Sequence, residues 1–181
     1  MTVTLRTPAA GTTPALLLRP WTERDAEALI EAAGDAELRR WTSLAVDDAE
    51  GAAHWLGNQR AGWESGRRLS FAVLAQEALA AHVVVKWAEG ERGRASVGYW
   101  TAAPARGRGV APAALTALTD WVFETFADEG LERLELRHQM GNQGSCRVAE
   151  KAGYHFDRML DPWPPHYSQP GHVHRRLRPA A

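Results

Sequence analysis

The feature that most restricts the fold is a change of pattern between Ala95 and Phe126. Ala95-Ser96-Val97-Gly98-Tyr99-Trp100-Thr101 reads as a strand, and Pro104-Ala105-Arg106-Gly107-Arg108-Gly109-Val110-Ala111-Pro112 as a loop. Leu115, Leu118, Val122 and Phe126 then mark one face of a helix ending near Ala127. A strand, a glycine loop and a helix start in succession gather backbone N–H groups around one point. First-turn amides lack an intrahelical acceptor, and the helix dipole leaves partial positive charge there. A phosphate suits that position. The two glycines remove Cβ atoms that would hold it off the backbone. Pro112 gives up no needed donor in the first turn.

Two nucleotide loops fail on the residues. A dinucleotide fingerprint needs a third glycine at position 112, where Pro112 stands, and a clear acidic residue ending the next strand. A Walker loop needs Gly-Lys-Ser/Thr, which is absent. A purely structural strand-to-helix turn is the plain alternative.

The 181 residues fit one domain, with residues 1–14 as a flexible arm bearing a short strand at 3–5 and residues 15–181 as the domain. Apolar residues make up 45% and charged residues 24%, an ordinary globular composition. A formal net charge of −1 argues against a nucleic-acid partner, which selects for a basic excess. The single cysteine, Cys146, excludes an internal disulfide and fits a reducing cytoplasm. The amino terminus lacks the order of a signal peptide and no apolar run is long enough for a membrane span, so no membrane association is expected.

In chain order, a strand at 16–21 ends at Pro20-Trp21, and Thr22 caps a helix closed by Gly34. Short helices follow at 36–41 and from Asp47 or Asp48 to Gly66. Strands at 69–75 and 80–88 form a hairpin, and 94–102 completes a meander. After the helix, 131–138 alternates with Leu134 and Leu136 inward and Arg133, Glu135 and Arg137 outward. Asn142 caps a helix over 143–152, Gly153 closes it, and strands are expected at 154–160 and 171–177. The helical crossover makes the strands at 94–102 and 131–138 parallel neighbours in an otherwise antiparallel sheet. The class is α/β with a mixed sheet.

A second motif narrows the function. Arg106-x-x-Gly109-x-Ala111 is followed about thirty residues later by Asn142-x-x-Ser145-x-x-x-x-Glu150-Lys151-x-Gly153-Tyr154. The pair resembles the GNAT superfamily of acetyl-CoA-dependent N-acetyltransferases over about residues 97–157, and most closely the branch of the ribosomal-protein-alanine N-acetyltransferases. The resemblance implies a mixed, mostly antiparallel sheet flanked by helices, with a splayed parallel pair at the coenzyme site. Its cosubstrate would be acetyl-CoA, with no metal.

The resemblance also distributes roles. Gly107, Arg108, Gly109, Val110 and Ala111 would hold the pyrophosphate, with Arg106 and Arg108 neutralising charge or facing solvent. Backbone groups near Tyr99, Trp100 and Thr101 would pair with the pantetheine arm, and an N–H there would stabilise the tetrahedral oxyanion. Asn142 would bond the pantetheine arm or serve only as a cap. Ser145 would protonate the leaving thiolate or serve only the backbone. Relatives carry a tyrosine where Ala149 stands, and Glu-Gly where Asp157 and Arg158 stand. Asp157 is one candidate base, with an arginine ion pair as its alternative, and His138 is another.

His166, His172 and His174 lack a carboxylate or cysteine at recognisable spacing, so no metal is expected. Trp41, Trp55 and Trp63 line an acceptor cleft or pack in the core. The expected activity is acetylation of a primary amine (a protein N-terminus, a lysine or a small molecule) in a ternary complex. A catalytically weak acyl-CoA-binding module is the alternative, and a homodimer fits either.

Overall fold

The computed structural model describes residues 3–162, 164 and 168–179. Eight strands form one sheet: β1 (Leu5–Thr7), β2 (Leu16–Pro20), β3 (Arg68–Ala75), β4 (Ala78–Lys86), β5 (Arg94–Thr101), β6 (Arg133–Gln139), β7 (His155–Leu160) and β8 (Gly171–Leu177). The helices are α1 (Ala26–Ala33), α2 (Ala36–Trp41), α3 (Ala49–Ser65), α4 (Val110–Thr125) and α5 (Gln143–Lys151). Helix limits follow local chemistry. Asp48 caps α3 through Gly51 N–H at 2.8 Å, a contact of the kind worth about 1 kcal/mol, and Gly66 ends it in the left-handed region.

The sheet order is β1-β2-β3-β4-β5-β6-β8-β7, antiparallel except for β5 and β6. That parallel pair follows from the α4 crossover, as expected. The last strand inserts between β6 and β7, a placement the sequence pattern left open. The short strand expected at 3–5 lies at Leu5–Thr7, where it forms an edge of the sheet with Leu5 opposite Leu18 and Thr7 opposite Leu16. The two-residue turn joining β3 to β4 holds Gln76 at φ 51° and Glu77 at φ 68°, both positive without glycine.

Alternate residues of the central strands feed two cores. Leu69, Phe71, Val83, Val85 and Val97 pack with Leu115, Leu118 and Val122 of α4 and Ala149 of α5. Ala72 and Trp100 pack on the other face with Leu29, Leu38 and Leu56 of α1, α2 and α3. One outward assignment is corrected. Glu135 is only 2% exposed, because Arg133, Arg137 and Arg158 surround it on the face opposite Leu134 and Leu136. Burial works to raise its pKa, but the Arg137 hydrogen bond and charge, helped by Arg158, hold the carboxyl below its ordinary range.

Candidate active site

The site lies where β5 and β6 part. Their ladder runs from Arg94 opposite Arg133 to Val97 opposite Leu136 and ends there. Beyond it β5 stays paired to β4 as far as Thr101, while β6 pairs with β8 as far as Gln139. Gly98, Tyr99, Trp100 and Thr101 therefore lie on a strand edge that has lost its parallel neighbour, where an extended ligand can add hydrogen bonds.

Above this cleft the chain makes one turn of 3₁₀ helix (Ala103–Ala105) and enters the glycine loop. Gly107 and Gly109 have φ of 72° and 73°. Among the described residues Gly107, Arg108 and Gly109 donate to no backbone carbonyl, and Val110 and Ala111 open α4, so their N–H groups face the loop. A Cβ on Gly107 would meet nothing within 4 Å, whereas one on Gly109 would lie 2.2 Å from Thr13 Oγ1. The loop is thus open on one side and walled on the other by the chain just ahead of β2. Arg106 does not stand free: its guanidinium pairs with Asp35, the cap of α2, and the Arg106 hydrogen bond holds the Asp35 carboxyl below its ordinary pKa. Arg108 is exposed and forms no ion pair among the described residues.

The start of α5 supplies side-chain chemistry. Asn142 Oδ1 accepts from Ser145 N–H at 3.1 Å, the expected cap, while its amide NH2 makes no hydrogen bond among the described residues. The cap leaves Ser145 Oγ free for other contacts. It lies 2.9 Å from the Tyr99 hydroxyl, and Ser145 is 7% exposed. Burial raises the Tyr99 pKa, and the Ser145 hydrogen bond only partly offsets that, so the phenol stays protonated near neutral pH. Ala149, where relatives were expected to show a tyrosine, is fully buried in the core. A tyrosine reaches the serine from β5 instead. The sequence assigns only the backbone of Tyr99 to the site, because no local spacing ties positions 99 and 145.

The two candidate bases are placed differently from Ser145. Asp157 sits in the bulge of β7 and is gripped by Arg158 and, at 3.1 Å, by Arg175. Arg175 is the register partner of Glu135, so this carboxylate belongs to the arginine-rich face and not to the α5 face. His138 is on the α5 face. Its Nδ1 lies 2.8 Å from the Gln139 carbonyl and its Nε2 3.4 Å from Cys146 Sγ. Burial lowers its pKa, more than the Gln139 contact raises it, so the ring is neutral.

Of the three tryptophans, Trp55 packs edge-on to Trp21 at 4.9 Å, and Trp63 packs on Phe71 at 5.2 Å. Both are partly buried and pack against the cores. Trp41 alone reaches the loop before α5, where its ring would lie 3.4 Å from a Cβ on Gly141. Trp100 turns its ring away from the cleft into the second core, stacked on His82 at 5.5 Å.

The arrangement has known counterparts. The acetyltransferase (GNAT) domain profile matches residues 15–155. The chain belongs to the GNAT acetyltransferase family. It is accordingly an acetyl-CoA-dependent acetyltransferase with the mixed fold expected of that family. Among curated proteins none matches it by sequence. Among solved structures it is similar to RimJ of Mycobacterium smegmatis in complex with CoA-disulfide, at 23% identity over 97% of this chain and 86% of that one, with a TM-score of 0.80. A GNAT-family acetyltransferase of Bacillus anthracis matches at 19% identity over 97% and 99%, also with a TM-score of 0.80. The acetyl transferase of Salmonella typhimurium that modifies the N-terminal serine of ribosomal protein L7/L12 matches at 17% identity over 92% and 97%, with a TM-score of 0.78. No helix among the described residues is long and apolar enough to cross a membrane.

Proposed function

We propose that this acetyltransferase moves the acetyl group of acetyl-CoA directly to a primary amine within a ternary complex. The observation that carries this reading is the abrupt end of the β5–β6 ladder beside the Tyr99–Ser145 hydroxyl pair. The exposed edge from Gly98 to Thr101 accommodates the pantetheine amides, and the free amides from Gly107 to Ala111 receive the pyrophosphate. Arg108 is placed to neutralise phosphate charge, whereas Arg106 serves mainly to hold the loop to α2 through Asp35. The unpartnered amide of Asn142 is available to the pantetheine arm.

The amine first loses its ammonium proton and attacks the thioester carbonyl. A β5 N–H stabilises the resulting oxyanion. Collapse breaks the C–S bond and leaves a thiolate, and the attacking nitrogen sheds its second proton to solvent as the neutral amide forms. Ser145 gives that thiolate its proton and regains one from the Tyr99 hydroxyl, which is itself reprotonated from solvent, a two-hydroxyl relay. Asp157 takes no part in this scheme, since two arginines hold it. His138 is neutral and near the site, and the ammonium proton has no assigned protein acceptor.

The acceptor class to test first is a peptide α-amine, because the Salmonella neighbour is described as modifying an N-terminal serine. Free-thiol release from acetyl-CoA, measured over peptides with varied first residues, lysine peptides and small amines, tests the reading. Turnover with at least one amine class is expected. Coenzyme binding without thiol release for any of them would favour the weak acyl-CoA-binding module instead.

A further inference from the structure

Strands β6 and β8 and the helix start around Ser145 bring together four side chains that the reaction scheme does not use. His138 and His172 are register partners across β6 and β8, and His174 stands two residues along β8 on the same face. Cys146, one residue past Ser145, comes down on them from α5. Its Sγ lies 3.4 Å from His138 Nε2 and 3.3 Å from His172 Nδ1. The four possible ligand atoms all lie within 4.8 Å of one another. The absence of a cysteine near these histidines, expected from spacing alone, is therefore corrected by the fold. His166, the third histidine of that expectation, lies outside the described residues.

The cluster does not satisfy its own hydrogen bonds. His138 Nδ1–H donates to the Gln139 carbonyl, which leaves a lone pair on Nε2 aimed at Cys146. The thiol has one proton to give, and two ring nitrogens face it. His174 is 1% exposed, and among the described residues neither of its ring nitrogens makes a well-formed hydrogen bond, although the ring approaches the Tyr154 backbone. A buried imidazole left without a well-formed partner forfeits the hydrogen bonds that water would give it.

We propose that His138, Cys146, His172 and His174 form a closed site of one thiolate and three imidazoles for a zinc-class divalent metal ion. Four protein ligands of thiolate and imidazole type with no open position match the closed coordination of a structural zinc centre, here with more imidazole than such centres usually carry. Tetrahedral zinc, with Zn–N of about 2.0–2.1 Å and Zn–S of about 2.3 Å, sets its ligand atoms roughly 3.3–3.6 Å apart. The two sulfur–nitrogen separations, 3.4 and 3.3 Å, lie close to that spacing, and the remaining ligand atoms, within 4.8 Å of one another, close on the metal by turning the rings inward. The His138-to-Gln139 bond is the outer support that zinc-bound imidazoles customarily have, fixing which nitrogen faces the metal. On binding, the Cys146 S–H bond breaks, the proton leaves to solvent and the sulfur lone pair enters the metal bond; no group is oxidised or reduced. The metal takes no part in acetyl transfer. Its effect is to tie the first turn of α5, and with it Ser145, to β6 and β8.

Cobalt(II) is the probe. Added to chelator-treated, reduced protein, it should bind at one equivalent, giving the strong visible bands of tetrahedral cobalt and a near-ultraviolet thiolate charge-transfer band, both erased by one equivalent of zinc. Cys146→Ser should lose the charge-transfer band, and His172→Ala, at a half-exposed position, should weaken binding more than about tenfold. Zinc should raise the unfolding midpoint of the unaltered protein and not that of Cys146→Ser. His174→Ala removes a buried ring and is not needed for the test. Weak octahedral bands, or a charge-transfer band that survives Cys146→Ser, would overturn the site and leave the cluster as core packing. Retained acetyl-CoA binding by each variant keeps this result separate from the acetyltransferase reading.

Discussion

The starts of α4 and α5 border the same cleft but are built on opposite terms. At α4 the chemistry is in the backbone: two glycines in the left-handed region and a set of unpaired amides, with no side-chain cap. At α5 a side-chain cap is present, Asn142 on Ser145 N–H, and the side chains of Ser145 and Cys146 reach Tyr99, His138 and His172 on three different strands. A backbone site is local and can be read from glycine and proline in the chain. A side-chain site assembled across strands is written in residues that have no fixed spacing.

The comparison makes the two starts fail differently. Gly109→Glu should have the largest effect. A residue at φ 73° costs about 1–2 kcal/mol, its Cβ would strike Thr13, and its carboxylate would oppose the pyrophosphate. Acetyl-CoA affinity measured by calorimetry should fall by more than about a hundredfold, and retained affinity would break the assignment of α4. Ser145→Ala should instead lower kcat by about a hundredfold, with little change in the KM for acetyl-CoA, because the hydroxyl acts on the leaving thiolate. Equal losses in binding and turnover would show that α5 is only a second binding surface.

Tyr99→Phe should cost about tenfold in kcat, and little more when added to Ser145→Ala, as a relay requires. Full additivity in that double-mutant cycle would separate the two hydroxyls. Gly107→Ala is the small member of the set. Its Cβ meets open space, so only the positive φ opposes it, and a several-fold loss of coenzyme affinity is expected by the same calorimetry.

Much of the fold was legible because it rests on local signals. The limits of α2 and β8 are those expected at 36–41 and 171–177, and the parallel pairing of β5 with β6 follows from one helical crossover. Glu135 was not legible, since alternation says which way a side chain points but not whether three arginines cover it. The insertion of β8 beside β6 was not legible either. That same insertion carries His172 and His174 to Cys146 and His138. One topological choice thus accounts for both the strand order left open and the hidden cluster.

On the proposed placement of the pyrophosphate, Thr13 would give the amino-terminal segment a part in coenzyme recognition. Its hydroxyl occupies the space that a Gly109 side chain would need, and its backbone is fastened by reciprocal hydrogen bonds to Ala10, each 3.0 Å. Deleting the chain up to Pro14 would strip one wall from the phosphate loop as well as an edge strand from the sheet. A tag joined there, or a processing event that trims there, acts at the coenzyme's doorstep.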